Sequence, residues 1–103
     1  MYVVVFVTCS SEKEGRKIAQ ELLKKKLVAC VNILKNVESL FWWEAKIDQA
    51  KEVLLVIKSR KSKLTQITNL VKSLHSYTVP EVIALPIVGG NKDYLRWIDE
   101  SLR

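Results

Sequence analysis

The stretch at 28–59 decides the fold. It reads VACVNIL at 28–34, KNVESLFWWE at 35–44, AKIDQAKE at 45–52 and VLLVIKS at 53–59. Neither half contains glycine or proline, and both are rich in β-branched and aromatic residues, which predicts two long strands. Charged residues gather at 44–48, so we expect the strands to form one hairpin that turns near Ala45. No Asn-Gly or Asp-Gly pair fixes the register of that turn.

The length of this hairpin predicts that part of it leaves the body of its subunit. An arm of roughly fifteen residues would extend about 50 Å, whereas a compact domain of this size has a radius of gyration of about 13 Å. We expect a bulge at Lys35-Asn36. Beyond it, Phe41, Trp42 and Trp43 place apolar surface on both faces of a strand. They are predicted to form an oligomer interface covered by a second chain, although an arm folded back over its own core is the alternative.

Composition predicts one globular domain over 1–103. The 103 residues are 49% hydrophobic, which supports a core without metal or disulfide staples. The formal net charge is +6, and lysine runs at 24–26 and 58–63 suit an anionic partner. Because those runs fall at a helix end and a strand end, a solvated surface is the favoured explanation for them.

The start of the chain predicts a cytoplasmic protein. The apolar run at 2–7 follows no basic residue and lacks a small-residue cleavage pattern, so it does not resemble a signal peptide. No stretch is long enough to span a membrane, and we expect no membrane contact. Cys9 and Cys30 are then expected to stay reduced.

Apolar periodicity predicts the remaining elements. They are a buried central strand at 2–8, a helix at 12–26 opened by a Ser11/Glu14 capping box, a helix at 62–75, an edge strand at 79–88 with a proline near each end, and a final helix capped by Asn91. The order β-α-β-β-α-β is the ferredoxin-like pattern, here with a long hairpin between the second and third strands and an added C-terminal helix. The fold class is therefore α+β.

This topology predicts an oligomer. Right-handed crossovers place both main helices on one face of the sheet. Residues 3–7 and 53–57 are nevertheless apolar at both parities, so both faces need burial. We therefore expect copies of the chain to cover one another's open faces.

The chemical inventory favours binding over catalysis. The sequence has no Gly-rich phosphate loop, Cys-x-x-Cys pair, His-Glu-x-x-His motif or serine flanked by glycines, and it contains one histidine. We expect a protein that is not an enzyme. The segment at 75–81 places His75, Tyr77 and Glu81 at a helix-to-strand junction, and histidine with carboxylate suits a borderline divalent cation. Alternatively, His75 satisfies the last carbonyls of its helix and Glu81 is solvated.

The sequence strongly resembles the CutA family of divalent-cation tolerance proteins. The similarity covers nearly the whole chain and is carried by VTC at 7–9, LVACVNI at 27–33, SLFWWEAKI at 39–47, VIK at 56–58, HSYTVPEVIALPI at 75–87 and YLRWI at 94–98. The resemblance implies a ferredoxin-like subunit in a tight homotrimer akin to the PII signalling proteins, with clefts between subunits. It also implies binding of copper or another divalent cation and a role in metal tolerance.

The resemblance assigns roles to individual residues. His75 and Glu81 match the family's histidine and glutamate in the segment proposed to bind metal. Some members also carry a cysteine at the position of Val7, and Cys9 lies two residues later on the same strand face, where it is a candidate third ligand. The intersubunit cleft is expected to include a further set of residues, which are Trp43, Lys58, Tyr77 and Trp97. This chain departs from the family at Ala45, usually glycine, and at Ser76, commonly proline.

Three functional hypotheses follow. The first is a non-enzymatic homotrimer that binds copper or another divalent cation at intersubunit clefts. The second is a PII-like signalling or scaffold trimer that binds a protein partner, with metal incidental. RNA binding ranks last and no nucleic-acid partner is expected, because RNA-recognition modules of this fold stack bases on aromatic strand residues, whereas the strand at 53–57 is wholly aliphatic.

Overall fold

The computed structural model describes residues 1–103 and confirms the predicted α+β, ferredoxin-like order. Its elements are β1 (Tyr2–Cys9), α1 (Glu12–Lys24), β2 (Cys30–Trp43), β3 (Lys46–Arg60), a 3-10 turn (Lys61–Lys63), α2 (Leu64–Leu74), β4 (Ile83–Pro86) and α3 (Lys92–Ser101). The strands form one antiparallel sheet in the order β2-β3-β1-β4. The first strand is central and the fourth lies at an edge, as the sequence predicted. None of the helices has the length and apolar character needed to cross a membrane.

One face of the sheet forms the core with α1 and α2. Odd-numbered residues of β1 and β3, such as Val5, Leu55 and Ile57, are fully buried. They share one hydrophobic cluster with Ile18 of α1 and Ile67 of α2. The two main helices therefore cover the same face, as right-handed crossovers require.

The opposite face is only half covered. Even-numbered residues such as Val4 and Val56 are half-buried, and Leu85 of β4 is 48% exposed. The last helix, α3, covers one end of this face because Asp99 accepts hydrogen bonds from the Tyr2 hydroxyl at 2.5 Å and from Arg60 Nη1 at 2.6 Å. The rest of this surface, called the open face below, remains apolar and unpaired.

The hairpin turns and bulges where the sequence predicted. Trp43 pairs with Lys46 across a two-residue turn, Glu44-Ala45, whose φ angles of 50° and 63° are left-handed. Two positive φ angles are typical of a type I′ turn. The register shifts between Leu34 and Val37, around Asn36 at φ 60°. The hairpin projects, and the molecule measures 44 × 25 × 23 Å.

The bulge determines which aromatic side chains share a face with β3. Leu34 pairs with Leu54, but beyond the extra residue Val37 pairs with Glu52. Paired residues point to the same side of a sheet, so the parity of β2 changes at the bulge. Phe41 and Trp43 thereby lie on the same face as Glu52.

Three of the predicted elements were longer than the observed ones. The strand expected at 79–88 is reduced to Ile83–Pro86, since neither Pro80 nor Pro86 has an N–H to donate to a ladder. Helix α1 ends at Lys24 rather than at residue 26, where Lys26 adopts a left-handed φ of 58°. Helix α2 begins after the 3-10 turn and ends at Leu74.

Candidate metal centre and the adjoining groove

Three elements bring sulfur, oxygen and nitrogen ligands together at the end of β1. Cys9 is the last residue of that strand, Glu14 lies in the first turn of α1, and His75 follows the last turn of α2. Their ligand atoms all lie within 4.8 Å of one another. The structure thus places two of the predicted metal ligands, Cys9 and His75, side by side. Glu81, the third, is not a member of this cluster.

Hydrogen bonds fix the tautomer of His75. Its Nε2 lies 2.7 Å from the Thr8 carbonyl oxygen, which can only accept, so Nε2 carries the proton. Its Nδ1 accepts the Tyr77 backbone N–H at 2.9 Å and faces Glu14 Oε1 at 3.6 Å. The side chain is fully buried. In this arrangement Nδ1 of His75 accepts rather than donates, and it faces the Glu14 carboxylate.

Glu14 ties the start of α1 to the segment after α2. Its Oε2 accepts the Ser76 backbone N–H at 3.1 Å, and its Oε1 accepts the Ser10 backbone N–H at 3.4 Å. Burial alone would raise the pKa of this carboxyl. The hydrogen bonds from Ser76 and Ser10 outweigh burial and lower the pKa below its ordinary value. Glu14 is therefore a charged ligand at neutral pH.

Cys9 is held as a thiol. Its side chain is completely buried, and that burial, reinforced by the negative charges of Glu14 and Glu52, raises its pKa to about 12. A metal binds the thiolate, so it would have to displace this proton. At Nδ1 of His75 it would also replace the hydrogen bond from Tyr77.

The three groups fit a divalent cation of borderline softness. Cysteine sulfur, histidine nitrogen and carboxylate oxygen are zinc ligands, and thiolate with imidazole also suits copper. When bound, such an ion would be held by Cys9, Glu14 and His75. Sequence reasoning missed Glu14 because it was interpreted only as the glutamate of a capping box; Ser11 does cap α1 through the Glu14 N–H, but the carboxylate of Glu14 points elsewhere.

A groove of about 860 Å³ adjoins this cluster on the open face. The distal hairpin forms one wall and the segment at 76–81 forms the other. The Tyr77 hydroxyl donates to Glu52 Oε2 at 2.9 Å. Burial and this bond to a carboxylate raise the pKa of Tyr77 to about 12. Glu81 lies at the rim, where burial and the neighbouring charge of Glu52 raise its pKa.

Only two of the four residues predicted for an intersubunit cleft line the groove within one subunit. Trp43 and Tyr77 line the groove, as does Glu81. Lys58 lies six residues beyond Glu52 on β3, roughly 20 Å away at ~3.3 Å per residue. Its Nζ contacts Asn32 Oδ1 and lies 4.0 Å from Cys30 Sγ.

Trp97 lies on α3, away from the groove. Its ring packs against Tyr94 with a centroid separation of 5.4 Å. The aromatic residues of the predicted oligomer interface are exposed, with Trp42 at 72% and Trp43 at 58%. Within one subunit, the predicted cleft residues therefore do not form a single site.

Comparison with known proteins assigns the chain to a family. The family model described as "CutA1 divalent ion tolerance protein" matches residues 3–101. The chain belongs to the CutA1 family. Among solved structures, this CutA1 chain is similar to the "Periplasmic divalent cation tolerance protein CutA from Archaeoglobus fulgidus", at 44% identity and a TM-score of 0.97 over 100% of both chains. It also resembles the divalent cation tolerance protein of Thermus thermophilus, at 40% identity and a TM-score of 0.96 over 98% of both chains.

Relatives of this CutA1 chain differ in length and in the compartment their names give. The rice "Protein CutA 1, chloroplastic" is 48% identical over 101 residues, which are 98% of this chain but 57% of that protein. The chain therefore spans little more than half of that relative. One relative is named chloroplastic and another periplasmic. The comparisons confirm the predicted family and fold.

Proposed function

We propose that this CutA1 chain forms a homotrimer that binds copper or another divalent cation, with ligand clefts between subunits. The observation that carries the metal component is the convergence of Cys9, Glu14 and His75 within 4.8 Å. These residues come from three separate elements, and hydrogen bonds to Thr8, Ser10 and Ser76 orient two of them. Membership in a family named for divalent-ion tolerance agrees with this chemistry.

Metal titration tests this site. Copper and zinc are titrated calorimetrically into reduced, chelator-treated protein, and light scattering in the same buffer gives the mass of the assembly. We expect one saturable site per subunit, and His75→Ala should weaken it without changing the mass. Equal affinity in His75→Ala, with an unchanged mass, would refute the assignment of His75.

The open face supports the self-association component. Leu54 and Val56 of β3 lie there half-buried, beside Ile83 and Leu85 of β4, which are 52% and 48% exposed. Contiguous apolar surface of this kind marks an interface. An ammonium at position 85 would be desolvated on assembly, so Leu85→Lys should lower the mass from trimer to monomer while the circular dichroism spectrum is retained. Val88→Lys is the matched control, because Val88 is fully exposed outside the strands; equal masses for the two variants would remove the open face from the interface.

A second candidate function is a PII-like signalling or scaffold trimer that binds a protein partner. The state of the metal ligands favours it, since the Cys9 thiol is protonated and both nitrogens of His75 make hydrogen bonds. The hairpin tip also presents Trp42 and Ile47 at 72% and 68% exposure. Partner recovery that is unchanged by a chelator but lost in Trp42→Ser would favour this candidate over metal binding.

We also propose that the protein is not an enzyme and acts in the cytoplasm. Cys9 in the cluster and Tyr77 beside it are protonated at neutral pH and are therefore poor nucleophiles, because the pKa values of both are about 12. Both cysteines are free thiols, which suits a reducing compartment. Fractionation of the source cells, with a cytoplasmic marker enzyme as control, tests the location.

A further inference from the structure

The segment at 76–82 is tethered to the body of the subunit by side chains. It joins α2 to β4 and belongs to no helix or strand, and no backbone-to-backbone hydrogen bond involves any of its residues. The Ser76 N–H donates to Glu14 Oε2 at 3.1 Å. The Tyr77 N–H donates to His75 Nδ1 at 2.9 Å. Two of the candidate metal ligands therefore also hold the backbone of this segment, called the latch segment below.

The nitrogen of His75 that faces the cluster is the one that Tyr77 occupies. Nε2 lies 2.7 Å from the Thr8 carbonyl oxygen, to which it donates. A metal-binding histidine commonly donates one ring N–H to a backbone carbonyl in this way, which leaves the other nitrogen as the ligand. Here the other nitrogen is Nδ1, 3.6 Å from Glu14 Oε1. Because Nδ1 offers a single lone pair, it cannot accept from Tyr77 and bind a cation at the same time.

The carboxylate of Glu14 is not restricted in this way. Its two oxygens offer about four acceptor sites, of which the Ser76 N–H uses one on Oε2 and the Ser10 N–H uses one on Oε1. Oε1 can therefore bind a cation while Oε2 keeps its bond to Ser76. The two tethers of the latch segment should thus respond differently to metal, since the tether at His75 is lost and the tether at Glu14 is retained.

We propose that the latch segment is a metal-dependent switch, in which the Tyr77 N–H is tethered in the metal-free protein and released when Nδ1 of His75 binds a cation. The Ser76 tether and the bond from the Tyr77 hydroxyl to Glu52 Oε2 at 2.9 Å hold the segment on both sides of the released N–H. The change is therefore confined to the backbone around Tyr77, which forms part of the groove wall. The switch rests on the metal component of the proposed function and adds a conformational response to that site.

Amide hydrogen exchange of the full chain, measured residue by residue by NMR with and without saturating zinc, tests the proposal. We expect the Tyr77 amide to exchange at least about fivefold faster with zinc, the factor that corresponds to the loss of one hydrogen bond. Ligand binding ordinarily slows exchange because it stabilises the folded state. The His75 amide is the internal control, since it donates to the Val71 carbonyl oxygen at 2.9 Å; neither it nor the Ser76 amide should accelerate.

Two variants separate the ligands from the tether. Cys9→Ala removes a ligand and leaves both tethers intact, so the Tyr77 amide should exchange slowly, and zinc at the concentration that saturates the unaltered protein should accelerate it less. His75→Ala removes the acceptor itself. Its Tyr77 amide should exchange without zinc as fast as that of the zinc-loaded unaltered protein, and slow exchange in this variant would contradict the proposal.

Calorimetry in the same buffer distinguishes failure of the switch from failure of the metal site. Saturable zinc binding with an unchanged or slower Tyr77 amide refutes the switch and leaves the metal site standing. Equal acceleration of the Tyr77 and His75 amides also refutes it, because zinc would then loosen the end of α2 as a whole. Absence of saturable zinc binding refutes the metal component of the proposed function, and the switch with it.

Discussion

Proton release on zinc binding tests whether Cys9 is a metal ligand. At pH 7.5 a thiol with a pKa of about 12 is ionised in fewer than about one molecule in 10⁴, and ionising it costs about 6 kcal/mol at ~1.36 kcal/mol per pH unit. Zinc that binds the Cys9 sulfur must displace this proton, so the ionisation free energy reduces the net free energy of binding. We therefore expect about one proton released per zinc from Cys9, and an apparent affinity that rises about tenfold per pH unit between pH 7 and 8.5.

Calorimetry in two buffers of different ionisation enthalpy measures the proton release directly. Cys9→Ala should abolish the release from the thiol and flatten the dependence on pH. Cys30→Ala is the matched control, because Cys30 is the only other cysteine and lies outside the cluster. Zinc binding without proton release in the unaltered protein, or with the same release in Cys9→Ala, would refute the assignment of sulfur as a ligand.

Two further predictions concern stability. The pKa of Glu14 is lowered in the folded protein, so its contribution is present above its ordinary value of 4.5 and is lost as the pH falls through the folded value. The Glu14→Gln variant should therefore have a lower free energy of unfolding than the unaltered protein at neutral pH, and it should lose less of that free energy on acidification. Urea denaturation from pH 7 to 3 measures both effects. Parallel curves of unfolding free energy against pH for the two proteins would contradict the prediction. Ala45 has a left-handed φ of 63°, so Ala45→Gly should raise the free energy of unfolding by about 0.5–1 kcal/mol, whereas Ala50→Gly, in extended β3, should lower it by a similar amount. Both are measured at one protein concentration, and destabilisation by both would show that the turn is not strained.

Local sequence signals were sufficient to predict the fold. The hairpin at 28–59 lacked glycine and proline, and its length alone required a bend, which the structure places at Asn36. The apolar character of β1 and β3 at both parities correctly indicated a second face without a cover. Boundaries were less certain where proline intervened, because Pro80 and Pro86 limit pairing without abolishing the apolar pattern.

The candidate site was harder to predict because its residues come from distant parts of the chain. Glu14 bonds to Ser76, which is 62 residues away in sequence, and no local pattern indicates that contact. Glu81 lies near His75 in sequence, which suggested a shared site. The chain between them crosses from the helix-covered face to the open face, so His75 joins the cluster while Glu81 lines the groove.

Tyr77 connects the candidate metal cluster to the adjoining groove through opposite ends of one residue. Its backbone N–H donates to Nδ1 of His75, and its hydroxyl donates to Oε2 of Glu52. A cation at Nδ1 of His75 would remove the acceptor of the first bond. Metal at the cluster would therefore change the bonding of a residue that lines the groove. The cluster and the groove thus share one structural element, the residue Tyr77, although neither Cys9 nor His75 lines the groove.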